Sequence, residues 1–193
     1  MEATGIILSG GKSSRMNYQD KAWLPYEGKP LIHHAITRIS SQVSQILVST
    51  NNKGPRYDEL PYACIPDLST NFEGPLAGIL ACSNHVASPL ALIIPNDTPN
   101  VPKNLKALLL PHLKGNEAVV PSYNGVCQPL FILAKTSILG SIAPYLSSGG
   151  RSVKGWLEHL SITQVDFVSQ EPFININTPE QLKKFSDQNY RSL

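Results

Sequence analysis

Disulfide chemistry has little to work with in this chain. Cys64, Cys82 and Cys127 are an odd number, widely spaced and without a C-x-x-C pair. That pattern excludes a disulfide framework or a zinc ribbon and predicts buried free thiols in a reducing compartment, which reads as cytoplasmic. Histidine is sparse too, and the one close pair, His33 and His34, sits where a helix is expected. Adjacent helical residues point to different faces, so they make a poor metal pair. A dominant charge is also missing: 16 basic and 14 acidic residues leave a formal net charge of +2. No broad polyanion-binding face follows, and no nucleic-acid partner is expected. No apolar run approaches the ~20 residues of a membrane helix, so no membrane partner is expected either. The opening "MEATGIIL" carries an acid and no basic segment, which does not read as a signal peptide.

Two familiar glycine signatures are absent as well. The stretch "GIILSGGKSSRMNYQDKAWLP", residues 5–25, contains a Gly-Lys-Ser triplet after an apolar lead-in. A Walker loop needs a glycine five residues before Gly11, where this chain has Ile6. Gly5, Gly10 and Gly11 cannot supply the G-x-G-x-x-G of a dinucleotide fold.

What is present is an ordinary globular composition. The 193 residues are 41% hydrophobic, enough for a full core, and read as one domain, residues 1–193. Apolar runs at residues 5–8, 45–50, 90–95 and 117–121 are expected as buried strands. Helical spacing follows Pro30 and Pro75, and proline is well placed in the first turn because its missing N–H had no partner there. Thr178, Pro179 and Gln181 form a helix-start signal. Such alternation predicts an α/β, Rossmann-like, mostly parallel sheet with helices on both faces. Asn124-Gly125 predicts an antiparallel excursion through a hairpin.

Ligands of such sheets sit beyond the carboxyl ends of the strands. That rule selects residues 9–21, Asn51 and Asn52, Asp67, and residues 96–98. Gly10 and Gly11 allow close approach of a polyphosphate, and Lys12, Arg15 and Lys21 can neutralise it. The same glycines could equally make a tight surface turn. Asp97, after the most apolar strand, suits Mg²⁺, which prefers one or two carboxylates plus phosphate oxygens. Alternatively it caps a helix starting near Pro102. Asp67 is either a ribose or base contact or a turn residue. Arg151, after two glycines and before a helix, suits an anion but is also an ordinary loop arginine. In "FININTPEQL", strand alternation would send Ile174 and Ile176 to the core and both Asn175 and Asn177 the other way. Two asparagines run against strand propensity, which points to function.

Taken together, "LSGGKSSRM…DKAWL", "GPLAG", "PNDTP", "QPLF" and "FININTPEQL" resemble the molybdenum cofactor guanylyltransferase family, single-domain nucleotidyltransferases. The matches run in the family's order over residues 6–182. The first and third motifs are shared with molybdenum cofactor cytidylyltransferases and sugar-phosphate nucleotidyltransferases. The asparagine-rich ending and short length are those of the guanylyl branch. The resemblance implies transfer of GMP from GTP to the terminal phosphate of molybdopterin, giving the guanine dinucleotide cofactor and pyrophosphate. It also implies Mg²⁺ as cofactor and transient contacts with other molybdenum cofactor biosynthesis proteins. By the family pattern, Leu8, Ser9 and Gly10 contact the guanosine part, and Gly11 and Arg15 lie in the phosphate loop. Lys21 and Asp67 engage the nucleotide, and Asp97 binds the metal. Arg15, Lys21 and Asp97 form the catalytic set. Arg151, Asn175 and Asn177 match positions on the pterin side. One departure is visible: Asn17-Tyr18-Gln19 stands where the family has glycine after the methionine. Asparagine tolerates a left-handed backbone better than most residues and can stand in for it. The nearest alternative is another nucleotidyltransferase, using CTP on the same pterin or acting on a sugar or polyol phosphate. A non-catalytic nucleotide-binding regulatory protein is a further alternative, against which Arg15, Lys21 and Asp97 argue.

Overall fold

The computed structural model describes residues 1–10, 20–68, 74–176 and 181. The chain begins with strand β1 (Ala3–Leu8), followed by the short hairpin β2 (Pro25–Tyr26) and β3 (Lys29–Pro30). Helix α1 (Leu31–Ile39), strand β4 (Gln45–Ser49), helix α2 (Pro55–Asp58) and strand β5 (Ala63–Ile65) come next. Then follow helix α3 (Pro75–Ser83), strand β6 (Leu90–Pro95) and helix α4 (Leu105–Leu109). Strands β7 (Ala118–Tyr123), β8 (Val126–Cys127) and β9 (Ile132–Lys135) lead to helices α5 (Ile142–Ser147) and α6 (Val153–Leu157). Strand β10 (Ile162–Asp166) is the last described strand.

The main sheet runs β10-β7-β9-β6-β1-β4-β5, with β8 attached to β7. Strands β6, β1, β4 and β5 are mutually parallel, while β9 runs antiparallel between β6 and β7. The predicted parallel sheet with an antiparallel excursion is therefore what the chain adopts. Its hairpin turns at Asn124 and Gly125, both left-handed with φ of 49° and 72°, which suits the two residue types.

Alternation along buried strands divides the core between two faces. Ile7, Val48, Leu92 and Ile94 pack with Ile32, Ala35 and Ile39 of α1 and Leu105 and Leu109 of α4. Ile6, Leu8, Leu47 and Ile93 face the other way, onto Leu76 and Ile79 of α3, Ile142 and Leu146 of α5 and Trp156 of α6. Successive strand residues point to opposite faces, so two helical layers are fed by one set of strands.

The three cysteines are free thiols. Cys82 is fully buried, and burial pushes its thiol up to about 12. Cys64 and Cys127 are half-buried, and burial raises their thiols too, so the expected burial holds in full only for Cys82.

Three expectations are corrected. Pro30 does not open α1 from inside but precedes it, ending β3 with an extended backbone. The helix expected near Pro102 starts at Leu105. The described part of the "FININ" run is not a strand: Phe173 ends a 3-10 turn that begins at Glu171, and residues 174–176 join no sheet. They meet the sheet beyond the end of β6, where Ile176 N–H donates to the Asp97 carbonyl. Ile176 is nevertheless fully buried, against Tyr26 and Leu31, while Ile174 is only half-buried. The predicted helix-start residues Thr178 and Pro179 lie outside the described residues.

Candidate functional site

The carboxyl ends of β1, β4 and β6 lie side by side because these strands are parallel and adjacent. Their pairing runs past the strand ends, with Ser9 N–H donating to the Ser49 carbonyl at 2.8 Å and Asn96 N–H to the Leu8 carbonyl at 3.0 Å. A cleft of about 370 Å³ opens there, lined among others by Leu8, Gly10, Asn51, Asp67, Gly74, Gly78 and Asp97. One wall is the start of α3. Its approach to β4 depends on Gly78: a Cβ there would lie 2.1 Å from the Ser49 Oγ. The "GPLAG" stretch is thus a packing device that brings a helix start to the cleft.

Lys21 and Asp97, far apart in sequence, meet here. The Lys21 Nζ donates to Asp97 Oδ2 at 2.5 Å, and both side chains are largely buried. Asp97 does not cap α4, whose N-cap position is Asn104. Its second oxygen, Oδ1, is buried without a hydrogen-bond partner among the described residues. An unpartnered buried carboxylate oxygen is unfavourable unless something cationic or protic takes it. Among the described residues no group of three or more His, Cys, Asp or Glu side chains gathers around a metal position. A single free carboxylate oxygen at the cleft fits Mg²⁺, which keeps waters and takes most other ligands from phosphates.

Asp20 is held by three donors. Ala22 N–H reaches Oδ1 at 3.1 Å, which starts the 3-10 turn Lys21–Trp23, while Asn52 Nδ2 and the Tyr57 hydroxyl reach Oδ2 at 2.9 and 2.8 Å. The Tyr57 oxygen also lies 3.2 Å from the Ser9 Oγ, which accepts from Asn96 Nδ2 at 3.0 Å. Burial raises the Tyr57 phenol above its ordinary value.

Asp67 and Asn51 form a reciprocal pair: Asn51 Nδ2 donates to Asp67 Oδ2 at 2.7 Å, and Asp67 N–H donates to Asn51 Oδ1 at 2.8 Å. Asp67 is therefore oriented in the cleft wall by a neighbouring strand end.

Of the sequence-predicted residues, the structure gathers Leu8, Ser9, Gly10, Lys21, Asp67 and Asp97 at one end of the sheet. It does not bring Arg151 or Asn175 into the cleft lining. The Arg151 guanidinium donates to the carbonyls of Leu146 and Gly150 at 2.8 and 2.6 Å, closing the end of α5. The N-cap of α6 is Ser152, which accepts from Gly155 N–H. Asn175 is half-buried and adjoins Ile176, whose N–H donates to the Asp97 carbonyl at 2.9 Å. Gly11, Lys12, Arg15 and Asn177 lie outside the described residues. Sequence reasoning missed Tyr57, the part played by Asn96 and the pairing of Asn51 with Asp67. Position after a strand pointed to the asparagines at 51, 52 and 96, but nothing local marks Tyr57.

A family model described as the MobA-like NTP transferase domain matches residues 5–164. The molybdenum cofactor guanylyltransferase of Shewanella sp. (strain MR-4) is 34% identical over 189 residues, 96% of each chain. That of Methylibium petroleiphilum is 31% identical over 195 residues, again 96% of each. Among solved structures, the molybdopterin-guanine dinucleotide biosynthesis protein A from Archaeoglobus fulgidus shares the fold. It superposes with a TM-score of 0.80 at 22% identity, over 97% of this chain and 99% of its own. With one strand-end cleft, one ordered set of motifs and relatives matching nearly end to end, the chain belongs to the molybdenum cofactor guanylyltransferase family of MobA-like NTP transferases.

Proposed function

We infer that the protein transfers GMP from GTP to the terminal phosphate of molybdopterin, releasing pyrophosphate. The observation that carries this reading is the Lys21–Asp97 pair at the ends of β1 and β6, beside a cleft whose lining includes Asn51, Asp67, Asn96 and Asp97. A lysine at that position supplies fixed positive charge where a polyphosphate would lie, and a preorganised charge stabilises the transition state without reorganising. The attacking group is a phosphate, already anionic at neutral pH, so the chain needs to position it and not to abstract a proton. The site agrees with that economy: the Tyr57 phenol is kept protonated by burial, and the carboxylates of Asp20 and Asp67 are engaged as hydrogen-bond acceptors.

Asp97 Oδ1 is the atom that would hold Mg²⁺, whose charge would offset that of the phosphates. Lys21 and the ion can share one carboxylate because they use different oxygens. Leu8 and Gly10, which line the cleft, and Ser9 between them are assigned to the guanosine side, and Asp67, held by Asn51 in the cleft wall, to the nucleotide. Arg151, Asn175 and Asn177 serve the pterin side. The setting is the cytoplasm, with transient contacts to other proteins of the same biosynthesis. Among the described residues no helix is long and apolar enough to cross a membrane.

The test is turnover of GTP, CTP or ATP with Mg²⁺ and molybdopterin, read as dinucleotide formed and pyrophosphate released. A site that hydrogen-bonds one base leaves buried groups unpaired with another, so GTP should be strongly preferred. Equal turnover with CTP and GTP would overturn the guanylyl assignment.

A further inference from the structure

Ser9 and Asp20 bracket the glycine-rich stretch, and one phenol joins them. The chemistry of the groups fixes the direction of every bond in that junction. A carboxylate only accepts, so the single Tyr57 hydroxyl proton goes to Asp20 Oδ2. The Ser9 hydroxyl must then donate to the Tyr57 oxygen, which leaves the Ser9 lone pairs for Asn96 Nδ2. The result is one directed chain, Asn96 to Ser9 to Tyr57 to Asp20, anchored at the ends of β6 and β1. Asp20 in turn starts the turn that carries Lys21, through its bond to Ala22 N–H.

We propose that Tyr57 is a positioning residue for nucleotide transfer, its hydroxyl stapling the start of the glycine-rich stretch to its end and so fixing where Lys21 presents its ammonium group. This role rests on the guanylyl-transfer reading above. The ring contributes separately, to packing, since it is 5% exposed and meets Trp23 edge-on at 5.3 Å. The hydroxyl is what the positioning role needs. Because burial raises its pKa, the phenol keeps its proton and remains a donor throughout the neutral range.

Tyr57→Phe keeps the ring and removes the hydroxyl, so melting should change little. A partly buried hydrogen bond to a charged partner is worth enough that GTP affinity and kcat/KM for GTP should fall about tenfold. Molybdopterin KM should stay unchanged, because Lys21 serves the nucleotide. In an Asp20→Asn background the same substitution should cost less than about twofold, since two residues acting through one contact are not additive. Asn52→Ala, which removes another donor to the same oxygen, should give a smaller loss of the same kind.

Wild-type GTP affinity in Tyr57→Phe, an equal weakening of both substrates, or a full-size loss repeated in Asp20→Asn would each overturn the proposal. GTP titration by fluorescence needs no pterin, so it judges Tyr57 separately from the reaction. If the wild type forms no guanylylated product, the guanylyl reading fails on that result alone, and the titration still decides the staple.

Discussion

The strand-end cleft and the turn that carries Arg151 are built in different ways. At the ends of β1, β4 and β6, side chains bond to side chains: Lys21 to Asp97, Asn51 to Asp67, and Tyr57 and Asn52 to Asp20. Around Arg151, the polar group is held by the backbone, through two main-chain carbonyls. A network of side chains fixed by parallel strands is in place before a ligand arrives, so it favours charge stabilisation. Backbone-held groups on short turns can exchange a carbonyl for a ligand with little rearrangement. With the cleft proposed for the nucleotide and the Arg151 turn proposed for the pterin, changes in the cleft should be felt strongly in GTP turnover, and changes at Arg151 should be felt in one ligand only.

The largest test of that contrast is Asp97→Asn. Asparagine leaves the shape of the residue but removes its charge and turns one of the two carboxylate oxygens into an NH2 group, so Lys21 and Mg²⁺ can no longer each be given an anionic oxygen. Turnover should fall by about two to three powers of ten, the ~3–4 kcal/mol typical of a lost electrostatic contact in the transition state. Melting should shift little, and a Mg²⁺ titration should no longer restore full rate. Unchanged turnover with an unchanged Mg²⁺ dependence would remove Asp97 from the reaction.

Gly78→Ala should come next. The added Cβ would sit 2.1 Å from the Ser49 Oγ and 3.1 Å from its Cβ, so the Ser49 hydroxyl must turn away and α3 and β4 must give at their contact. Overpacking of this kind is destabilising by ~1–3 kcal/mol, or about 2–4 °C of melting temperature per kcal/mol in a chain of this size. Because the same helix start walls the cleft, GTP affinity should fall with it. Ser49→Ala in the same chain should recover part of both losses. Recovery of neither would show that the close approach does not matter.

Arg151→Ala should have the smallest and most selective effect. Two main-chain hydrogen bonds at the end of α5 are lost, at about 0.5–1.5 kcal/mol each. Molybdopterin affinity should weaken about tenfold, as for loss of one charge-assisted contact, with GTP affinity unchanged. Isothermal titration with each ligand decides. A variant that lost GTP and kept the pterin would reverse the two assignments.

The same contrast explains what was readable in the chain. Strands β1 and β6 were legible because they are apolar almost without interruption and buried at every position. The turn at Asn124 and Gly125 was legible because few residue types accept positive φ. The β2–β3 hairpin was not, since it turns at Glu27, a residue that seldom adopts its φ of 46°. The "FININ" run misled because its alternation looks like a strand, while residues 174–176 are fixed by the burial of Ile176 and its bond to the Asp97 carbonyl and not by a sheet. Lys21 and Asp97 were legible singly, as charges after strands. Their contact was not, because it depends on β1 and β6 lying side by side. Tyr57 was invisible for the same reason: its partners Ser9 and Asp20 are remote in sequence, and "GPRYD" carries no local mark of chemistry.

The bond from Ile176 N–H to the Asp97 carbonyl has a consequence for the order in which the molecule assembles. During synthesis, every described strand of the sheet leaves the ribosome before residues 174–176 do. The sheet can therefore close while the peptide that carries Asp97 still lacks its final anchor and Ile176 is not yet packed on Tyr26 and Leu31. Such distant contacts form late, because chain closure must precede the contact that rewards it. A nascent chain would thus pass through a stage with a closed sheet, Tyr26 and Leu31 still uncovered by Ile176, and an unfinished active end.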